Sequence, residues 1–116
     1  MEYFEIERDI EDFLNNKIAV NCQTEEDAGE FLIFLASKYQ TRWRFSNNDV
    51  INYTNWNDCE NETCYNMDNI KLAYSNIHYY KTYNYKILIY KSTESKLNLN
   101  IKSGKKRRII IFEENK

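Results

Sequence analysis

The chain has no proline, two glycines and one histidine in 116 residues. Each shortage excludes something. Without proline, and with so little glycine, loops must be shaped by Asn, Asp and Ser, whose short polar side chains support turns in their own way. Gly29 and Gly104 are isolated, so neither a G-x-G-x-x-G turn nor a phosphate-binding loop can form, because both need several adjacent backbone positions free of side chains. Ser103-Gly104-Lys105 is then only a turn, and no G-x-S-x-G elbow occurs. The single histidine, His78, has no supporting spacing for a nucleophile pair with Cys22, Cys59 or Cys64. No apolar run reaches the ~18 residues of a membrane span. The first ten residues, "MEYFEIERDI", are acidic and lack the apolar centre of a secretion signal. Three cysteines, an odd number, suit a reducing compartment. The expectation is therefore a cytoplasmic protein with no membrane partner. Without a secretion signal, Asn61-Glu62-Thr63 is a chance match to the glycosylation pattern.

Apolar residues make up 42% of the chain and aromatics 16%, enough for a folded globule. The length fits one domain, 1–116, able to bury roughly two thirds of its unfolded surface. Asn, Ile, Lys and Tyr are frequent, as an AT-rich genome would make them, so the asparagines receive little functional weight. The net charge of −2 conceals a split. Residues 1–30 hold ten acids against Arg8 and Lys17, whereas residues 91–112 hold seven bases against Glu94. Such a split provides two faces for different partners, or ends that pack near each other.

Hydrophobic spacing predicts an acidic amphipathic helix over 3–15. Tyr3, Ile6, Ile10, Phe13 and Leu14 lie on one side, Glu5, Asp9 and Asp12 on another, and Asn15-Asn16 ends it. "KIAVNC" (17–22) reads as a short buried strand. "QTEEDAGEFLIFLASKYQ" is the clearest helix, with Thr24 as N-cap, Asp27 in a weak capping box and Glu25 and Glu26 on the positive end of the dipole. Ala28, Phe31, Leu32, Leu35 and Tyr39 form its core stripe, and Gly29 is expected to let it approach a sheet closely. "TRWRF" (41–45) is a strand with Trp43 and Phe45 on one face and Arg42 and Arg44 on the other. A polar loop follows over 46–61, with a short strand at 50–53. "TCYNMD" and "IKLAYS" pair across Asp68-Asn69, "NIHYYKTYN" is a helical turn or loop, and "YKILIYK", apolar on both faces, is a central strand. "KSTES" (91–95) is the only linker-like stretch. Leu97, Leu99 and Ile101 alternate with Asn98, Asn100 and Lys102, Gly104 turns, and "RRIIIFE" returns, giving a basic hairpin over 96–113. The class is α+β: an antiparallel or mixed sheet with one or two helices packed on one face, an α+β core over 17–90, and the C-terminal β-hairpin.

Three constellations could carry chemistry. The first is "NDCENETCY" (57–65). Cys59 and Cys64 have the spacing of half a zinc site, but the other half would need Cys22 and His78, a thin basis for a second pair. The spacing is not C-x-x-C, which argues against a redox pair. The simpler reading has Cys22 and Cys64 as small buried residues and Cys59 in a loop. No catalytic residue, metal or other cofactor is assigned. The second is tyrosine: Tyr74, Tyr79, Tyr80, Tyr83, Tyr85 and Tyr90 crowd seventeen residues. Such rings suit a contact surface or base stacking, or else the half-buried positions of a sheet. The third is the run "KSGKKRR". Lys105, Lys106, Arg107 and Arg108 at a hairpin tip could reach phosphates, although charge runs are as a rule solvated. The acidic first helix could instead imitate a phosphate backbone and enter a basic groove.

Residues 17–90 resemble a family of small uncharacterised proteins of phages and mobile elements in Firmicutes and related bacteria. The carrying residues are "KIAVNCQTEEDAGEFLIFL", Trp43, "ETCYNMD" and "LAYSNIHYYKTYNYKILIY". Where that family tends to show His-Cys, this chain has Asn21-Cys22, which argues against a metal ligand at position 21. The resemblance implies no catalytic residues and a phage setting, in which small proteins block host defences. The expectation is a non-enzymatic protein in the host cytoplasm that binds and inhibits a host defence protein, a CRISPR effector nuclease being one candidate, as anti-CRISPR proteins do. Contact is expected through Glu5, Asp9, Asp12, Tyr79, Tyr80 and Tyr83. The alternative is a nucleic-acid or nucleotide-binding module using Lys105, Lys106, Arg107, Arg108 and surface tyrosines. The "IIIF" edge could also pair two copies into a homodimer.

Overall fold

A computed structural model of the chain describes residues 2–43 and 54–92. The elements are helix Ile6–Leu14 (α1), strand Ile18–Cys22 (β1), helix Glu25–Tyr39 (α2), strand Arg42–Trp43 (β2), short 3-10 turns at Trp56–Asp58 and Glu60–Glu62, strands Thr63–Asp68 (β3) and Lys71–Asn76 (β4), helix Ile77–Thr82 (α3) and strand Lys86–Tyr90 (β5). The strands form one mixed sheet ordered β2-β4-β3-β1-β5. The β1–β3 and β3–β4 pairs are antiparallel, and β1–β5 and β2–β4 are parallel. The class is α+β, as the spacing predicts. The hairpin expected over 96–113, the strand expected at 50–53, and Arg44 and Phe45 lie outside the described residues.

Helix α2 forms where its caps and period place it. The Thr24 hydroxyl accepts from the Asp27 backbone N–H at 3.0 Å, and the chain turns out through Gln40 in a left-handed conformation. Ala28, Phe31, Leu32 and Leu35 are fully buried. Gly29 does not mediate the close approach expected of it: among the described residues a Cβ there would meet nothing within 4 Å. Elsewhere asparagine takes the place of the missing glycine. Asn16, Asn55, Asn69 and Asn84 all adopt positive φ at turns, a conformation that Asn tolerates better than most residues.

The first helix starts later than its periodicity suggests. Residues 2–4 are extended instead. Phe4 donates its N–H to the Ile89 carbonyl at 2.7 Å, and Ile89 donates to Glu2 at 2.9 Å, so Tyr3 bridges β5 in parallel. This also corrects the place of β5. Among the described residues it is the last strand of the sheet rather than a central one, and its outer edge pairs in part with the N-terminal segment. The segment is pinned by Phe4, whose ring meets Phe13, Phe31 and Tyr90. Arg8 Nη2 donates to the Tyr3 carbonyl at 2.8 Å.

Alternation along the strands sorts the core in two. Ile18, Val20 and Cys22 of β1, Tyr65 and Met67 of β3, Leu72 of β4, and Leu88 and Tyr90 of β5 join Phe13 of α1 and the α2 stripe in one cluster. Ala19 and Cys64 face the opposite way and pack with Tyr80 of α3, flanked by Ile77, Tyr85 and Ile87. Two helices therefore cover one face, and a third, six residues long, covers the other.

Candidate functional site

Helix α1 turns an acidic side outward. Glu7, Glu11 and Asp12 are exposed, and Glu5, also exposed, stands at the N-cap. Asp9 is different. It is 3% exposed, and its Oδ2 accepts from the Glu5 backbone N–H at 2.8 Å, closing the start of the helix. Arg8 meets both carboxylate oxygens, at 2.9 Å each. Hydrogen bonding from Arg8, against the cost of burial, holds the Asp9 carboxyl below the usual carboxylate range. Asp9 is thus a capping residue rather than an acid open to a partner.

The tyrosines divide in the same way. Tyr79 and Tyr83, one helical turn apart, are 47% and 62% exposed. Tyr80 lies between them in sequence but inside in space. It is buried, and its hydroxyl donates to Asn66 Oδ1 at 2.5 Å. Asn66 Nδ2 donates to Asn16 Oδ1 at 2.9 Å, and the Tyr85 hydroxyl reaches the same oxygen at 3.1 Å. Burial pushes the Tyr80 phenol well up, so it is a fixed neutral donor. Tyr90 is buried with its hydroxyl on Glu30 Oε2, and half-buried Tyr74 bonds Asp58. Since α1 and α3 cover opposite faces, the residues expected to make contact fall into two separate groups. Glu5 and Asp12 stand on one side of the sheet and Tyr79 and Tyr83 on the other, while Asp9 and Tyr80 are inside. Lys105, Lys106, Arg107 and Arg108 lie outside the described residues.

The stretch 57–65 is a loop running into a strand. Trp56 Nε1 donates to the Cys22 carbonyl at 2.9 Å, the Thr63 hydroxyl to the Trp56 carbonyl, and the Tyr65 hydroxyl to the Thr54 carbonyl. Cys22 and Cys64 are fully buried, and Cys59 is half-buried. Burial pushes the Cys64 thiol up to about 12 and raises Cys22 strongly, while Cys59 is raised by burial and then by Asp58 and Glu62. All three favour the thiol over the thiolate that attack or metal binding requires. Among the described residues no group of three or more His, Cys, Asp or Glu could hold a metal ion, and no helix is long and apolar enough to cross a membrane.

Two asparagines discounted as compositional bias prove structural. Asn21 Nδ2 donates to the Asn61 and Thr63 carbonyls at 3.1 and 2.9 Å, tying the loop to β1. Asn66 anchors α3 through Tyr80. The available signal was alternation: in "IAVNC" and "TCYNMD" each Asn shares a face with Ala19 or Cys64, and a polar side chain buried there needs a partner. Comparison of the chain with family models, curated proteins and solved structures found no match.

Proposed function

We propose that the chain is a non-enzymatic accessory protein of a phage or mobile element that binds a host defence protein and inhibits it, with a nucleic-acid-binding groove of a CRISPR effector nuclease as the model target. The observation that carries this reading is the outer side of α1. Glu7, Glu11 and Asp12 stand exposed there, and Arg8, the one base among them, is matched by Asp9. Glu7 and Glu11, one helical turn apart, stand side by side, and Asp12 lies about 100° round the helix from Glu11, so the exposed side carries negative charge across its width. Such an acidic surface fits a groove built for phosphates and speeds encounter with it.

The test is a cleavage assay with purified CRISPR effector nucleases, together with co-purification from a bacterial lysate. Saturable binding and slowed cleavage are expected. Glu7→Lys/Glu11→Lys/Asp12→Lys should weaken binding by at least about tenfold, with a steep loss of affinity in salt for the native chain. A chain that finds no saturable protein partner, or one that the triple reversal leaves unaffected, would overturn the reading.

A further inference from the structure

The exposed rings of α3 end a chain of aromatic contacts that begins inside the protein. Tyr85 meets Tyr80 edge-on at 5.1 Å and 90°, Tyr80 meets Tyr79 edge-on at 5.0 Å and 89°, and Tyr79 meets Tyr83 at 4.8 Å with a 49° tilt. Tyr80, the buried middle member, is pinned by Asn66. Tyr79 thus rests on a fixed, buried ring and Tyr83 rests on Tyr79, which lowers the ordering cost of using them. The helix itself carries no acid. Around α3 the exposed residues are His78, Tyr79, Lys81, Thr82, Tyr83 and Asn84, and no acid occurs between residues 69 and 92. One carboxylate reaches the helix from outside it: Glu62 Oε2 is 3.6 Å from His78 Nε2. At 100° per residue, Tyr79 and Tyr83 share one flank of the helix, and His78 and Lys81 share the other.

The geometry points to a stacking platform for single-stranded nucleic acid on α3, with bases on Tyr79 and Tyr83 and the strand crossing Thr82 to set a phosphate against Lys81. Flat ring faces are sequence-tolerant partners for bases, and a cation beside them serves the phosphate. A strand's negative charge finds no acid among the exposed α3 residues, whereas the acids of α1 lie across the sheet. This site is separate from the α1 surface and does not depend on it. Tyr80 and Asn66 act as positioning residues for the two exposed rings.

The experiment is fluorescence anisotropy of the full chain with oligouridylate, its DNA counterpart, and an abasic strand of the same length, each about twelve nucleotides. The base-bearing strands should bind at least about tenfold tighter than the abasic one, and Tyr79→Ala/Tyr83→Ala should remove that difference. Tyr79→Phe/Tyr83→Phe should keep it. Tyr83→Ala alone, at the more exposed ring, should reduce it and serves if the double variant does not fold. Arg107→Glu/Arg108→Glu should weaken base-bearing and abasic strands alike, because it removes only phosphate attraction. Equal binding of the base-bearing and abasic strands would overturn the platform. So would a difference that survives the alanine variants or is lost only with Arg107 and Arg108. Self-association or protein capture that depends on Tyr79 and Tyr83, with no oligonucleotide bound, would overturn it as well.

Discussion

Under α1 and α2 the sheet is covered by rings and branched chains: Phe4, Phe13, Phe31, Tyr65 and Tyr90 meet edge-on or tilted within 6.5 Å, with Leu32, Leu35, Ile18 and Val20 around them. Under α3 the sheet offers Ala19, Cys64, Asn21 and Asn66, and the helix answers with one buried tyrosine. The first face is stabilised by apolar area. The second buries little area and depends on satisfied polar groups, whose value lies mostly in not being left unpaired. The difference explains how a six-residue helix, too short to be stable alone, can stay docked: Asn76 caps it, accepting from the Tyr79 N–H at 3.1 Å, and Tyr80 is locked from below.

Deleting the central ring of the first face should have the largest effect. Phe31 touches Phe4, Phe13, Tyr65 and Tyr90, so Phe31→Ala should cost about 3–5 kcal/mol in urea unfolding. A loss under about 1 kcal/mol would mean that the face is not close-packed. On the second face Tyr80→Phe keeps the ring and removes only the hydroxyl. It leaves Asn66 Oδ1 buried without that donor and should cost about 1–3 kcal/mol. It should also raise amide exchange selectively in α3. A uniform, ring-sized loss on both faces would erase the distinction drawn between them.

How far the sequence reveals this depends on what each residue answers to. The α2 stripe and Thr24 cap were legible because cap and period lie within one segment. The β3–β4 pairing was legible because Asp68-Asn69 marks its turn. The late start of α1 was not. Periodicity places Tyr3 on the helix face, but pairing with β5, more than eighty residues away, draws residues 2–4 into extended chain. Asp9 follows from that start: once the helix begins at Ile6, its carboxylate reaches the Glu5 N–H and leaves the surface. Of the residues expected to make contact, Glu5, Asp12, Tyr79 and Tyr83 are exposed and Asp9 and Tyr80 are not. Their division between opposite faces, and the burial of Tyr80 between two exposed tyrosines, depend on how α3 docks.

The Asp9 clamp gives a smaller effect with a pH signature. Arg8 holds the folded carboxyl below its usual range, so its contribution is fully present above the unfolded titration near pH ~4 and is lost as pH falls through the lower folded value. Arg8 is half exposed, so solvent screens the pair. Asp9→Asn should cost about 0.5–1 kcal/mol at neutral pH and make the acid-side decline of stability shallower. Urea titrations repeated from pH 7 to 3 would read both, and an unchanged acid limb would assign the acid sensitivity to other carboxylates.

The smallest expected effect has the opposite sign and probes how tightly the first face is closed along α2. Gly29 lies within the helix, where glycine costs about 1 kcal/mol relative to alanine. Its φ is not positive, and an added Cβ meets nothing within 4 Å among the described residues. Gly29→Ala should therefore stabilise by about 0.4–1 kcal/mol, chiefly by restricting the unfolded chain. Thermal melting reads the sign directly. A fall in melting temperature would mean that a neighbour comes closer to α2 than the described residues place it, and the close packing expected from the glycine would be restored at that position.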